Sequence, residues 1–361
     1  MILTIENCDF YEDALIDVVQ VLNEIINNEN KTYDDIKRAR NILDDLSNFN
    51  LTFMLEDVDM VVYTMLLSMK NISCWKLEGN MISFKELNFP NEGMENEYIG
   101  LISKFVELSD RLKEEYEFNE LDVEYLAPNS KLSNIKISCS IKDLIYFILS
   151  CAKYDELIDI NVLFSEYDKL MESIVTVAMS SFDITIVDDL FIRMRLDDEN
   201  RRNMLDAGNL SMNIISNEEY ISHCIKTFNS EVKLSTIGTS SLVAYREVVN
   251  NIPKQDIKIE NFNDFINQEY FSISLPCIYG SLDDEIANEI EKYIYDWYVL
   301  INQYKEMEDY KHEQLLCCLN CFEHIFKMNT QVYNYFNLDV ETELTEVKEL
   351  MRILKSKLME E

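Results

Sequence analysis

Leu51–Phe84 reads LTFMLEDVDMVVYTMLLSMKNISCWKLEGNMISF, and a change of hydrophobic period inside it decides the fold class. Leu51, Phe53 and Leu55 alternate with Thr52 and Met54 over too few residues for a helix, which is the pattern of a short strand with one face in a core. Val58, Val61, Val62, Met65, Leu66 and Met69 then recur at the three- and four-residue spacing of one helical face. Asp57 and Asp59 stand where that helix is expected to begin, because carboxylates there accept from free backbone N–H groups. The helix is expected to end near Ser68-Met69-Lys70, followed by an irregular segment, NISCWKLEGN, with Gly79 as its only permissive backbone position.

Upstream, residues 10–29 and 34–47 carry helical patterns, the second opening on Asp34 and Asp35. Downstream, MISFKEL (81–87) is strand-like and stops at Pro90. Residues 95–116 then form an amphipathic helix with Ile99, Leu101, Ile102, Phe105, Val106 and Leu112 as its apolar positions. A loop surrounds Pro128. Ile135, Ile137 and Cys139 alternate in a strand, and Ile141, Leu144, Ile145, Ile148, Leu149 and Ala152 make a second helical stripe. The second half runs in the same order: a strand from Glu231, a helix from Ser240, a strand ending at Pro276, a long helix from Asp283, a strand from Phe322 and a closing helix over 340–358. Val62 and Val243 lie 181 residues apart, Pro90 and Pro276 lie 186 apart, and Phe147 and Tyr335 lie 188 apart, all near half of the 361 residues. The expectation is a duplicated unit, 1–178 and 179–361, giving an α+β protein of two similar units packed as a pseudo-dimer.

Composition narrows the function classes. Sixty-seven acidic against 32 basic residues give a formal net charge of −35, which disfavours nucleic acid and anionic membrane and suits solubility or a basic protein partner. Nine cysteines, an odd number set among apolar runs, read as reduced core residues. The N-terminal residues carry acids where a secretory leader needs basic residues, and no apolar run approaches the ~18 residues of a membrane span, so a cytoplasmic protein is expected. Cys317, Cys318, Cys321 and His324 have zinc-ligand chemistry, but His324 falls in an expected strand and no second Cys-x-x-Cys pair completes a tetrahedral set, so no metal is expected. There is no glycine-rich phosphate loop, and His223 and His312 have no nucleophile near them in sequence.

Over most of each half these residues resemble the flavin-dependent thymidylate synthases (ThyX). That family has an apolar strand, a helix ending in Arg-His-Arg, seven residues, and Ser-Gly-Arg-Tyr. Here LTF leads to Ser68-Met69-Lys70, then seven residues, then Glu78-Gly79-Asn80-Met81. A loop, Ala127-Pro128, precedes the strand, Ser140-Ile141-Lys142 stands at the family's Asn-x-Arg, and Phe147 to Cys151 stands at its Phe-Leu-x-x-Arg. In the second half Val249-Asn250-Asn251 takes the Arg-His-Arg place, Asn329-Thr330-Gln331 takes Asn-x-Arg, and Asp339 stands at the later arginine.

The resemblance implies an antiparallel sheet flanked by helices and a homotetramer holding FAD and dUMP between subunits. It also implies one-carbon transfer from methylenetetrahydrofolate with a reduced nicotinamide. The residues at the matching positions imply the loss of that activity, because FAD and dUMP carry phosphate charge that guanidinium groups ordinarily match. No catalytic residue and no bound cofactor are therefore expected. Ser68, Met69, Lys70, Ser73, Glu78, Lys142, Asn250, Asn251, Asn329 and Gln331 are the remnants of the cofactor site, and Glu78 sets a carboxylate beside the anion. The implied protein is a homodimer of two-unit chains with residual dUMP or dTMP binding or a basic protein partner. The alternative reading is a divergent but active FAD-dependent synthase.

Overall fold

The computed structural model describes residues 2–8, 12–28, 30, 32–68, 72–77, 82–153, 169–180, 211–212, 235–243, 246, 257–259, 272–273, 275–305 and 307–329. They form a mixed α+β chain with small, mainly antiparallel sheets and two compact units, Met1–Ser83 with Leu132–Met204, and Phe84–Lys131 with Leu205–Glu361.

In the first unit, β1 (Ile2–Cys8), β2 (Asn50–Asp59), β3 (Ser73–Leu77) and β4 (Leu132–Ser140) make one antiparallel sheet in the order β1-β2-β4-β3. The alternation at Leu51, Phe53 and Leu55 meets Ile135, Ile137 and Cys139 on the buried face, as its period requires. β2 continues past that alternation because it carries a bulge: Leu55 pairs with Ile135 and Val58 with Ser133, so β2 holds one residue more than β4. Asp57 takes the left-handed conformation there (φ 57°), and its N–H donates to the Asn134 side chain at 3.0 Å. Asp57 is thus a strand residue and not a helix start. Asp59 does cap the helix, its carboxylate accepting from the Val62 N–H at 3.0 Å.

The helices of this unit are α1 (Glu12–Asn27), α2 (Tyr33–Asp45) and α3 (Met60–Ser68), with α6 (Ile141–Lys153) and α7 (Lys169–Ser180) following β4. Met60 to Leu67 are buried throughout, so α3 is apolar on every side and the single stripe expected of it is too narrow. α7 packs on α1 and α6. The expected irregular segment NISCWKLEGN contains β3, whose Ser73 to Leu77 pair with Ser138 to Asn134. Its alternation is hidden because only Cys74 is buried, while Trp75 is half exposed. The expected strand MISFKEL reduces to one bridge, Phe84 to Lys131, within the second unit.

That second unit contains α4 (Glu92–Tyr116), α5 (Glu120–Val123), α8 (Asp284–Lys305) and α9 (Lys311–Cys317). Its strands are β5 (Ser211–Met212) paired with β8 (Ser272–Ile273), and an antiparallel sheet β6-β9-β7 built from Ser235–Ser241, Glu323–Asn329 and Ile257–Ile259. The expected closing helix over 340–358 lies outside the described residues.

Some elements of the two sequence halves recur at similar spacing. β4 and β9 are the central strands of their sheets; Leu132 pairs with Asp59, and Glu323, 191 residues later, pairs with Ser241. The buried positions of α4 are Met94, Tyr98, Leu101, Phe105, Leu108 and Leu112, and those 192 further on are buried in α8: Ile286, Ile290, Tyr293, Trp297, Leu300 and Tyr304. Even the caps coincide, since Asn91 accepts from the Met94 N–H and Asp283 from the Ile286 N–H. The expected match of Pro90 with Pro276 falls six residues short, because Leu282 occupies that place.

The turns after α5 and α9 meet in an antiparallel bridge, Pro128 to Leu319. The Asn129 N–H donates to the Cys318 carbonyl at 2.9 Å, and the Asn320 N–H to the Ala127 carbonyl at 3.0 Å. Their side-chain amides repeat the exchange, Asn129 Nδ2 donating to the Leu315 carbonyl and Asn320 Nδ2 to the Glu124 carbonyl, both at 3.2 Å. Glu124 and Leu315 are themselves 191 apart, so the pairing is reciprocal. α4 and α8 are joined further by Glu289, whose carboxylate binds Lys104 and Arg111, and by the Tyr116 hydroxyl, which donates to Asp283 at 2.5 Å.

Two outcomes follow from these contacts. Asn129→Ala and Asn320→Ala each strand a buried carbonyl and are expected to cost about 1–3 kcal/mol in urea denaturation, Asn320 the more because its Oδ1 also accepts from Arg246 at 3.1 Å. The hydrogen bond from Lys104, opposed by burial and aided by Arg111, holds the Glu289 carboxyl below the ordinary glutamate range. A depressed folded-state pKa gives stability above the unfolded value and loses it as pH falls through the folded one. The melting-temperature gap between wild type and Glu289→Gln should therefore close from about pH 7 to about pH 3.

Candidate functional site

β2 begins, and β4 ends, at the same edge of the first sheet, since Asn50 pairs with Ser140. Two of the sequence-selected residues, Ser73 and Lys142, lie near that end of the sheet. Ser68 closes α3, Ser73 opens β3 opposite Ser138, and Lys142 is the second residue of α6. Ser140 fixes the start of that helix, its hydroxyl accepting from the Asp143 N–H at 3.1 Å. Met69, Lys70, Glu78, Asn250, Asn251 and Gln331 lie outside the described residues, and Asn329 ends β9 opposite Ser235.

Lys142 is engaged within its own unit. Its Nζ donates to the Asp44 carboxylate at 2.6 Å. Burial is the largest influence and opposes the charge, but the bond to Asp44 and the charges of Asp44, Tyr146 and Asp143 together outweigh it, so the ammonium is held above the ordinary lysine range. A phosphate arriving there would have to displace an intramolecular carboxylate. Ser73 is exposed, and Ser138, its partner in β4, is bonded on the other side by the Thr52 hydroxyl of β2 at 3.2 Å. Among the described residues this end of the sheet offers hydroxyls and the ion-paired Lys142, and no acid–base or nucleophilic pair stands out on it.

The denser polar chemistry among the described residues is in the second unit, at residues the sequence reading did not single out. Glu124 binds Lys131 at 2.9 Å and has Arg246 Nη2 at 3.9 Å, and Arg246 Nη1 donates to the Asn320 side chain. All four residues are buried. Periodicity gives no sign of them, since Glu124 and Lys131 flank a turn and Arg246 sits in an apolar helical run. The one available signal was the asparagine shared by Ala127-Pro128-Asn129 and Cys318-Leu319-Asn320. Cys317, Cys318 and Cys321 are buried and outside any disulfide; burial pushes the Cys317 thiol well above the ordinary thiol range. His324 lies in β9 opposite Ser240, and no group of three metal-ligating side chains exists among the described residues.

The arrangement defines a class and no more: an α+β protein with small antiparallel sheets. Among the described residues no helix is long and apolar enough to cross a membrane. No family model matches the chain, and no curated protein matches it in sequence. Among solved structures it is similar to a flavin-dependent thymidylate synthase ThyX from Helicobacter pylori complexed with FAD and dUMP. The identity is 14% and the TM-score 0.26, over 53% of this chain and 98% of that one. At that level the likeness is slight, and the functional reading rests on this chain's own residues.

Because Lys142 is a partly exposed surface ion pair, Lys142→Ala is expected to change unfolding free energy by no more than ~1 kcal/mol in urea.

Proposed function

We propose that the chain is a tandem of two diverged ThyX-like units, residues 1–178 and 179–361, that no longer performs flavin chemistry and serves as an acidic binding module. The observation that carries the tandem reading is the 192-residue match of six buried positions between α4 and α8. The reciprocal bonds of Asn129 and Asn320 support a pseudo-dimer, since a contact between two copies of one unit has this self-complementary form. Two chains would then supply four units, and the proposed assembly is a homodimer.

Loss of activity is supported by charge. Of the remnant positions only Lys70 and Lys142 are cations, and Lys142 already serves Asp44. Two anionic ligands gain nothing from a net charge of −35, whereas a basic protein surface gains in association rate. A cytoplasmic setting accords with described cysteines that form no disulfide.

The purified protein should be colourless, should not oxidise NADPH in response to dUMP, and should scatter light as a dimer. A flavin absorption spectrum together with dUMP-dependent turnover would establish the divergent active synthase instead. Thermal-shift titration with dUMP, dTMP and FAD separates a residual nucleotide site, which stabilises the protein, from a pure protein-binding role, which leaves it unmoved. A basic partner captured from cell extract should be released as salt rises, because exposed charges are screened beyond ~8 Å at 0.15 M.

A further inference from the structure

We infer that the buried charges around Glu124 form a pairing lock, which makes the 124–131 turn bind the 315–322 turn and disfavours either turn binding a second copy of itself. The inference rests on the duplication reading above. Its ground is an asymmetry inside an otherwise reciprocal contact. On one side Glu124 is bonded by Lys131, and Arg246 from the other half reaches both Glu124 and the Asn320 amide. On the other side the positions 191 residues later are Leu315 for Glu124 and Phe322 for Lys131, both buried and apolar. Strand register carries Arg246 back to Thr64, since Asp59 and Ser241 hold matching places 182 apart.

A chain whose halves match so closely faces a choice that ordinary chains do not. Two copies could associate like with like, through the same backbone exchange that Asn129 and Asn320 now make. Pairing two 315–322 turns would set each Arg246 against Leu315, where no carboxylate stands, and a buried guanidinium facing an apolar residue is strongly disfavoured. Pairing two 124–131 turns would retain Glu124 with Lys131 but bring no arginine to the shared asparagine. Only the unlike pair assembles the whole network. Apolar residues of similar volume would hold the contact together at least as well, so the service of these charges is selection between partners.

The test is refolding of the full chain from denaturant over a range of concentrations, with mass read by light scattering. Arg246→Met and the neutral triple Glu124→Gln/Lys131→Met/Arg246→Met should raise the fraction of larger, like-paired species by about tenfold or more over wild type. Arg246→Lys, which keeps the charge, should stay near the wild-type profile. The lock is overturned if Arg246→Met and the triple both fold with the wild-type mass profile at every concentration, or if Arg246→Lys behaves as Arg246→Met does. If Arg246→Met fails to fold, the triple decides, because neutral residues of similar size should be tolerated there; an unfolded triple overturns the lock too. The duplication itself is judged separately. An experimental structure in which α4 with its turn fails to superpose on α8 with its turn removes the tandem reading whatever refolding shows, whereas good superposition with unchanged refolding removes the lock alone.

Discussion

Two asparagine side chains carry the constraint on which the second unit is built. Where the turns after α5 and α9 meet, four backbone carbonyls belong to buried residues, and an unsatisfied carbonyl there costs as much as several good apolar contacts return. Asn129 and Asn320 each answer two of them, one with the backbone N–H and one with the side-chain amide. A serine could not reach that far, and a glutamine has a methylene too many for so tight a turn. Once the turns are fixed, α4 and α8 have little freedom in how they meet, and the aromatic contacts follow. Trp297 sits edge-on to Tyr98 at 5.8 Å and to Tyr293 at 6.3 Å, with the Tyr293 hydroxyl closing on the Leu126 carbonyl at 2.9 Å.

Much of the architecture could be read in the sequence where one period ruled for long enough. α4, α8 and β4 each bury one face, so their spacing is informative. α3 fails that condition because it is buried all round, and β3 because Trp75 and Lys76 face outward on either side of its pleat. The bulge at Asp57 defeats pattern reading for another reason: one extra residue restarts the alternation, so a strand looks like the onset of a helix. The spacing of the corresponding positions drifts from 182 between Asp59 and Ser241 to 192 between α4 and α8, and a single offset taken from the sequence blurs it.

The candidate site was legible only as a set of positions. Sequence placed Ser68, Ser73 and Lys142 in a family pattern, of which Ser73 and Lys142 lie near one end of the first sheet. It could not say that Asp44, nearly a hundred residues earlier, holds the lysine's charge. The buried network of Glu124, Lys131, Arg246 and Asn320 was equally out of reach, since long-range ion pairs obey no local period. What selects them is the cost of leaving any one of them alone in a low-dielectric interior, and that is a property of the assembled contact.

The chain has two tryptophans, and the fold gives one to each compact unit. Trp297 is sealed in the α8 core, whereas Trp75 on β3 has half of its surface open to solvent. An indole in a rigid apolar setting emits at shorter wavelength than one in contact with water. The intrinsic fluorescence of the unlabelled protein is therefore a two-channel signal, its blue edge reporting the unit that holds α4 and α8 and its red edge the unit that holds β3. A ligand or a denaturant that acts on one unit first will declare which one by the edge it moves.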